Sequence, residues 1–324
     1  MKNILITSAG RRVSLVRSFQ KELKKIFPTS HVYTTDANPE WSSACRISDK
    51  SFILPKVNDT KYINVLLTVC IQNDIKLIVP TIDTELELLS TNKNLFTSYG
   101  INIIVSDFEL VNNCRDKRKS NVIFNILGIR VPELMDKNDL KFPLFIKPYD
   151  GSLSKDIYLI TRKEELTDSL LNNPKLMFNE YIDKARYNEY SIDAYFDKNN
   201  YLKCLVPRNR IEIRGGEISK GRTEKHVFYD ILKDKFSYLK GAIGCLTIQL
   251  FIDKINNELI GIEINPRFGG GYPLSYEAGA NYPEYIIKEY LLNESLIFFE
   301  DWIENKVMLR YDSEIILDNN DFSC

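Results

Sequence analysis

The first 110 residues alternate short apolar runs with amphipathic stretches, and this alternation constrains the fold more than any other feature of the chain. Buried strands are predicted at residues 3–6, 31–35, 52–54, 77–80 and 101–105. Helices are predicted at residues 13–27, 62–73 and 85–96. Repeated βα units form a parallel sheet with helices on both faces, and ligands bind beyond the carboxyl ends of the strands. The pattern therefore predicts an α/β domain whose ligand edge comprises residues 8–12, 36–38 and 81–85.

The pattern changes in the second half of the chain. A helix predicted over residues 116–127 ends at Gly128, a residue type favoured just after a helix C-terminus. Later strands are predicted at residues 144–147, 157–160, 177–182, 190–196 and 201–207. Further helices are predicted near residues 164–171, 228–243 and 283–292, and a turn at residues 197–200. This part is expected to be α+β with antiparallel strand pairs.

Composition excludes several classes of protein. The net charge is −1, from 43 basic and 44 acidic side chains, which argues against a general nucleic-acid binder. No apolar run approaches the roughly 20 residues that span a bilayer. Six cysteines occur without a CxxC pair, so we expect reduced thiols in a cytoplasmic protein and no zinc site. Two histidines leave little material for a catalytic triad.

Two short apolar runs near the C-terminal side flank a polar turn at residues 253–258. They predict a β-hairpin, and alternation directs Gln249, Glu263 and Asn265 to one side of it. One carboxylate and two amide oxygens suit Mg²⁺, which prefers oxygen ligands and usually takes one or two carboxylates plus phosphates. Arg267 adds a planar fork for a phosphate. The alternative is structural, with Glu263 capping a sheet edge and Arg267 pairing with it.

Upstream residues suggest phosphate and nucleoside contacts. Lys147 ends an apolar strand and precedes a loop of small residues at 150–156, whose N–H groups could face phosphates. Lys117 opens a helix, where its charge opposes the helix dipole unless it faces an anion. Glu180-Tyr181-Ile182 ends one strand, and Glu189 begins the next, where a carboxylate can hold ribose hydroxyls. Taken alone, each feature is better explained by an ordinary hairpin turn or a solvated side chain, so only their combination favours a nucleotide site.

The order of these features resembles the ATP-grasp superfamily, and most of all the branch of carbamoyl phosphate synthetase large subunits and carboxylate–amine ligases. The motifs in chain order are Asp116-Lys117, Phe145-Ile146-Lys147-Pro148, Gly151-Ser152-x-Ser154-Lys155, Asn179-Glu180-Tyr181-Ile182, Glu189-Tyr190-Ser191, Gln249 and Glu263-Ile264-Asn265-Pro266-Arg267. The resemblance implies a Rossmann-like pre-ATP-grasp domain followed by a two-subdomain ATP-grasp fold. Its divisions are residues 1–110, a small lid subdomain at 111–180, a large subdomain at 181–312 and a polar tail at 313–324.

The resemblance also implies phosphate contacts. Lys117 and Lys147 would contact ATP phosphates, and Ser152 and Ser154 would fold over the β- and γ-phosphates as a lid. Related lids commonly carry glycine where this chain has Leu153 or Asp156, and an acidic Asp156 beside phosphates would be unfavourable unless it points away.

For the nucleoside, the resemblance implies that Glu180 and the backbone of Tyr181 and Ile182 face the adenine and that Glu189 binds the ribose hydroxyls. It implies that Arg267 stabilises the transferring γ-phosphate. It implies one or two Mg²⁺ ions, or Mn²⁺, held by Gln249, Glu263 and Asn265, with Glu263 bridging.

The implied activity is that of an ATP-dependent carboxylate–amine ligase, which activates a small-molecule carboxylate as an acylphosphate and transfers it to an amine in a small-molecule or surface-polysaccharide pathway. A homodimer through the N-terminal domain is also implied. One alternative is a carbamoyl phosphate synthetase-like kinase of a small acid, although the chain has a single ATP-grasp unit. The other is a nucleotide-binding regulator without catalysis.

Substrate contacts are predicted from a basic strand and a glycine run. Alternation places Arg208, Arg210, Glu212 and Arg214 on one face, and Arg210 and Arg214 are predicted to clamp the acyl substrate, with a salt-bridged exposed strand as the alternative. The glycines at 269–271 allow a close approach of the backbone to a ligand. Other candidates near the site are Arg11, Arg12, Asp83, Glu85 and His226, of which Asp83 and Glu85 could instead cap a helix.

Overall fold

A computed structural model of the protein describes residues 1–151 and 156–318. The N-terminal domain contains five strands, β1–β5, at Asn3–Ile6, Val32–Asp36, Lys50–Ile53, Ile75–Val79 and Asn102–Ile103. Its helices α1–α5 are Val13–Ile26, Ser43–Arg46, Tyr62–Gln72, Asp83–Thr91 and Lys93–Ser98, with a 3-10 turn at Pro39–Trp41. Helices α6, Phe108–Arg115, and α7, Lys117–Ile126, lead into the next unit.

The five strands form one sheet in the order β3-β2-β1-β4-β5, and every pair is parallel. Strand β1 is buried along its whole length because helices cover both faces of the sheet, as its apolar residues 4–6 require. The predicted α/β domain is therefore confirmed. One predicted helix, 85–96, is two helices that meet at Asn92, and helix α6 escaped prediction.

A small three-stranded sheet follows. Its strands β6, β7 and β8 are Leu144–Pro148, Tyr158–Ile160 and Leu176–Glu180, in the order β7-β6-β8, and both pairs are antiparallel. A 3-10 turn at Lys163–Glu165 and helix α8, Asp168–Leu171, connect β7 to β8. A separate apolar core holds this unit together, formed by Leu144, Ile146, Ile160, Leu176 and Phe178. The predicted lid serines, Ser152 and Ser154, lie outside the described residues.

The large sheet has six strands, β9–β14, at Tyr187–Phe196, Leu202–Arg214, Glu217–Thr223, Gly244–Asp253, Leu259–Asn265 and Val307–Leu309. Their order is β13-β12-β9-β10-β11-β14, and all pairs are antiparallel, as predicted. Helices α9–α11 are Phe228–Lys235, Tyr272–Glu277 and Tyr282–Leu291. One continuous core joins this sheet to helix α1, where Phe19 meets Phe268 edge to face with ring centroids 6.0 Å apart.

Two predictions in this unit need correction. The helix predicted at 228–243 ends at Lys235, and the residues that follow make turns. The strand predicted at 201–207 and the basic strand predicted after it form one strand, β10, and residues 217–223, which were not predicted as a strand, turn back as β11. Gly215 and Gly216 both have positive φ, 59° and 80°, which suits a tight two-residue hairpin turn.

The described cysteines, Cys45, Cys70, Cys114, Cys204 and Cys245, are all buried and unpaired. Within the described residues, no helix combines the length and the apolar character needed to cross a bilayer.

Candidate active site

A cavity of about 620 Å³ lies where the N-terminal domain, the small sheet and the large sheet meet. This volume is in the usual range for small-molecule sites. The structure brings most of the predicted site residues to its wall, from seven helices and strands and two loops. These residues are Lys117, Lys147, Glu180, Tyr181, Ile182, Glu189, Arg210, Gln249, Glu263, Asn265 and Arg267.

The β12–β13 hairpin carries the predicted metal ligands, which we call the oxygen triad: Gln249, Glu263 and Asn265. Gln249 is the cross-strand partner of Glu263, and the Asn265 Nδ2 donates to Glu263 Oε1 at 2.9 Å, so the three side chains share one face. The described residues contain no cluster of three or more His, Cys, Asp or Glu suited to a metal. The triad has instead one carboxylate and two amides, an oxygen set that fits Mg²⁺ when phosphates complete its coordination.

Two lysines face the same carboxylate. The Lys117 Nζ lies 3.7 Å from Glu263 and donates to the carbonyl oxygen of Gly151 at 2.6 Å. Burial lowers the pKa of Lys147 to about 8. The charge of Glu263 opposes this lowering of the pKa, and the charge of Lys117 adds to it by a smaller amount. Two cations beside one anion leave an excess of positive charge, and an anionic ligand would relieve the repulsion between the lysines.

Arg267 links the hairpin to the N-terminal domain. Its Nε and Nη2 donate to Asp83 Oδ2 at 3.1 and 2.8 Å. Burial alone would lower the pKa of Arg267, but the charge and hydrogen bonds of Asp83 raise it. Helix capping falls instead to the fully buried Glu85, which accepts the N–H groups of Thr81 and Ile82 at 2.9 and 3.3 Å. Asp83 is therefore a site residue, whereas Glu85 is structural.

The predicted row of side chains on strand β10 is wrong. The register of β10 against β11 shifts on both sides of Glu212, and such bulges break the alternation. Arg208 is fully buried and donates from Nε and Nη2 to Asp193 at 2.7 and 2.8 Å. Arg214 lies on the surface, 2.5 Å from Asp312, and does not line the described cavity.

Arg210 is the member of this row that lies beside the oxygen triad. Its Nη1 donates to Glu189 at 2.6 Å and to Gln249 at 3.0 Å, and its Nη2 donates to the carbonyl oxygen of Gly216 at 2.9 Å. The Nε of Arg210 is buried without a hydrogen-bond partner among the described residues. The guanidinium thus connects the predicted ribose carboxylate, Glu189, to the predicted metal ligand Gln249.

The predicted adenine end is lined by the hinge between β8 and β9. Glu180 is held by Arg130, whose Nη2 lies 2.7 and 2.6 Å from its two carboxylate oxygens. Ile182 is buried, and Phe251 completes an apolar wall. The ion pair between Arg130 and Glu180 was not predicted, because Arg130 follows Gly128 without belonging to any motif and lies 50 positions from Glu180.

At the opposite end, which we call the charged end, the cavity wall contains Arg12, Asp83, Glu217 and the glycines at 269–271. Glu217 was not predicted. It lies 2.5 Å from Arg310, which also donates to the carbonyl oxygen of Gly270. Burial would raise the pKa of Glu217, but Arg310 and Arg12 lower it, so the carboxylate is ionised.

The glycines of the charged end allow close packing. A Cβ on Gly270 would lie 2.5 Å from the Glu217 carboxylate, and one on Gly271 would lie 2.1 Å from Arg208. His226, by contrast, is exposed beside Glu224 at 3.4 Å and does not line the described cavity. The glycines at 269–271 therefore line the cavity, as predicted, whereas His226 lies apart from it.

Comparison with known protein families agrees with this architecture. Residues 4–104 match the model described as PylC-like, N-terminal domain, and residues 172–304 match the model described as ATP-grasp in the biosynthetic pathway with Ter operon. No curated protein matches the chain by sequence.

Solved structures share the fold at low sequence identity. Biotin carboxylase from Campylobacter jejuni, in complex with β-γ-ATP, has a TM-score of 0.71 at 15% identity over 94% of this chain and 74% of that chain. N5-carboxyaminoimidazole synthetase from Staphylococcus aureus, complexed with ADP, has a TM-score of 0.68 at 19% identity over 95% of this chain and 80% of that chain. L-amino acid ligase from Bacillus licheniformis has a TM-score of 0.66 at 16% identity over 90% of this chain and 74% of that chain. The predicted resemblance to the ATP-grasp superfamily and the predicted fold class are confirmed.

Proposed function

We propose that this ATP-grasp chain is an ATP-dependent carboxylate–amine ligase. Its main support is the convergence of Lys147, Glu263 and Arg267 on one cavity that continues into a second, differently charged end. A ligase of this type needs both parts, because a phosphoryl donor and an acid–amine pair must meet in one place. The three similar proteins are by name a carboxylase, a synthetase and an amino acid ligase.

The nucleotide would occupy the end of the cavity formed by the small sheet and the hinge. We propose that the hinge residues Glu180, Tyr181 and Ile182 face the adenine and that Glu189 holds the ribose. Two of the similar structures are complexes with β-γ-ATP and ADP, which supports a nucleotide as the ligand of this fold. The subdomain divisions at 111–180 and 181–312 are part of the same proposal.

Gln249, Glu263 and Asn265 would hold Mg²⁺, or Mn²⁺ in its place. When bound, the ion neutralises phosphate charge and orients the γ-phosphate. Phosphoryl transfer needs little covalent help from a protein, so positioning and electrostatic stabilisation dominate. Lys147 and Arg267 provide that charge here, and Asp83 fixes the guanidinium of Arg267 through two hydrogen bonds.

The reaction would proceed in two transfers. A carboxylate oxygen of the acid attacks the γ-phosphorus of ATP, the bond to the β-phosphate oxygen breaks, and ADP leaves an acylphosphate behind. The amine nitrogen then attacks the acyl carbon, the C–N bond forms, and the C–O bond to phosphate breaks. An amine that enters as an ammonium ion gives up two protons, one carried away on hydrogen phosphate and one released to solvent.

Phosphate release from Mg-ATP across a grid of acids and amines, with products weighed by mass spectrometry, tests the proposal. A product equal to acid plus amine minus water is expected for one pair. Glu263→Gln should strongly reduce release at a fixed Mg²⁺ concentration, whereas Glu212→Gln should leave it unchanged, because Glu212 is an exposed residue paired with Lys220. A phosphorylated acid as the final product would indicate a kinase, and ATP binding without release for any pair would indicate a regulator.

A further inference from the structure

The charged end of the cavity contains an arginine, Arg12, to which the described residues offer no partner. Among the described residues, no hydrogen bond or ion pair engages the guanidinium of Arg12, although Arg12 lines the cavity. It directly precedes helix α1, and its side chain makes no capping hydrogen bond to that helix. Burial lowers the pKa of Arg12, and Arg267 lowers it further. Arg12 is half-buried in the cavity wall, and a cation partly removed from water is destabilised unless a counter-charge compensates it, which an anionic ligand would do.

In each of the two carboxylates near Arg12, only one oxygen accepts a hydrogen bond from the described residues. Asp83 accepts both hydrogen bonds from Arg267 on Oδ2, and Glu217 accepts from Arg310 on Oε2. In the described part of the chain, no hydrogen bond reaches the other oxygen, Oδ1 of Asp83 or Oε1 of Glu217. Both carboxylates act electrostatically on Arg12, so one free cation and two free carboxylate oxygens face the same end of the cavity.

We propose that the amine substrate is an amino acid, or an amine with an adjacent carboxylate, bound in this charged end. Its carboxylate pairs with Arg12, and its ammonium group lies between Glu217 Oε1 and Asp83 Oδ1. A simple amine would leave Arg12 unpaired, and a simple acid would add negative charge beside two carboxylates. Only a ligand with both charges satisfies all three groups, as a site of complementary charge requires.

The position of Arg12 decides which group of this substrate reacts. Its carboxylate is held by the N-terminal domain, whereas the oxygen triad and Lys147 lie on the hairpin and the small sheet. Arg267 lies between these two parts of the cavity, bonded to Asp83. The amino group is therefore directed toward the acylphosphate, and the carboxylate anchors the substrate. This assignment rests on the proposed ligase function, and it adds the class of the amine.

The test measures phosphate release with each amino acid and with two analogues of it, the decarboxylated amine and the deaminated acid, each combined with the acid panel. The amino acid is expected to exceed its decarboxylated analogue about thirtyfold or more in kcat/KM, as for other charge pairs lost from buried sites. Arg12→Gln should erase this discrimination and raise the KM for the amino acid by a similar factor, with the KM for ATP unchanged. Arg17→Gln is the matched control, because Arg17 is exposed on helix α1 and does not line the described cavity.

Glu217→Gln provides a second measurement on the ammonium side and should also raise the KM for the amino acid. Wild-type enzyme that prefers decarboxylated amines would overturn the inference and leave the ligase function intact. Arg12→Gln enzyme that still discriminates against them would do the same. Absence of phosphate release with every pair, in protein that binds ATP, would instead overturn the ligase function and the inference that depends on it.

Discussion

Replacing Lys147 by methionine should stabilise the protein while it abolishes ATP turnover. The pKa of Lys147 falls from 10.5 to about 8, chiefly because of burial. At about 1.4 kcal/mol for each tenfold change in proton affinity, this fall disfavours the charged side chain by about 3 kcal/mol in the folded state. Methionine has a similar length and no charge, so Lys147→Met should raise the free energy of unfolding at pH 7 by up to about 3 kcal/mol.

The gain should depend on pH with a definite sign. Between pH 8 and 10.5 the unfolded chain still holds the lysine proton, whereas the folded chain has lost it. Because the unfolded state then binds more protons, the stability of the wild type rises with pH through this window. The advantage of Lys147→Met should therefore be complete below pH 8 and vanish as the pH approaches 10.5.

Urea unfolding of both proteins from pH 7 to pH 10 measures this difference, and the common titration of other groups cancels in the comparison. Lys141→Met is the control, since Lys141 is 66% exposed in a surface pair worth little stability. A second readout is calorimetry of ATP binding at pH 8 in two buffers, where phosphates beside Lys147 should cause proton uptake. The reasoning would be refuted if Lys147→Met were less stable than the wild type at pH 7, or if the difference in their free energies of unfolding did not change with pH.

Three further predictions concern other parts of the site. Glu263→Gln should leave the fold intact and raise the Mg²⁺ concentration for half-maximal turnover at least about a hundredfold, measured by phosphate release across a Mg²⁺ titration. Asp193→Asn should cost about 3–5 kcal/mol in unfolding experiments, because it leaves the buried guanidinium of Arg208 without its partner. Arg214→Ala should change neither turnover nor stability by more than about 0.5 kcal/mol, because its pair with Asp312 is exposed.

Sequence reasoning succeeded where a local pattern determines the structure. The hairpin of the oxygen triad was predicted because alternation over a few residues is enough to define which side chains share a face, and Gln249 and Glu263 are indeed cross-strand partners. The helix predicted at 228–243 was too long, because a local apolar pattern cannot show whether its residues are buried by a helix or by turns. Phe236, Leu239 and Ala242 are buried although they lie in turns and not in a helix. One of these turns packs against the segment before α6, where Asp107 donates its N–H to the carbonyl oxygen of Gly241 at 2.9 Å.

The errors on strand β10 have a different origin. Alternation assumes an unbroken ladder, whereas the bulges around Glu212 depend on how β10 pairs with β11. Residues 217–223 were not predicted to form a strand, so the effect of β11 on the register could not be foreseen. Consequently Arg214, predicted in the site, lies on the surface, and Glu217, which was overlooked, lies in the cavity wall.

The pair between Arg267 and Asp83 joins residues 184 positions apart, and no local pattern could reveal it. It means that the N-terminal domain contributes to the site itself, since Arg267 would otherwise be a buried cation without a carboxylate. Asp83 has one oxygen engaged by Arg267 and the other free toward the charged end. The residue that orients the predicted phosphate-binding arginine therefore also faces the proposed amine. A change in the charge of Asp83 would act on both parts of the cavity at once, because a single carboxylate serves both.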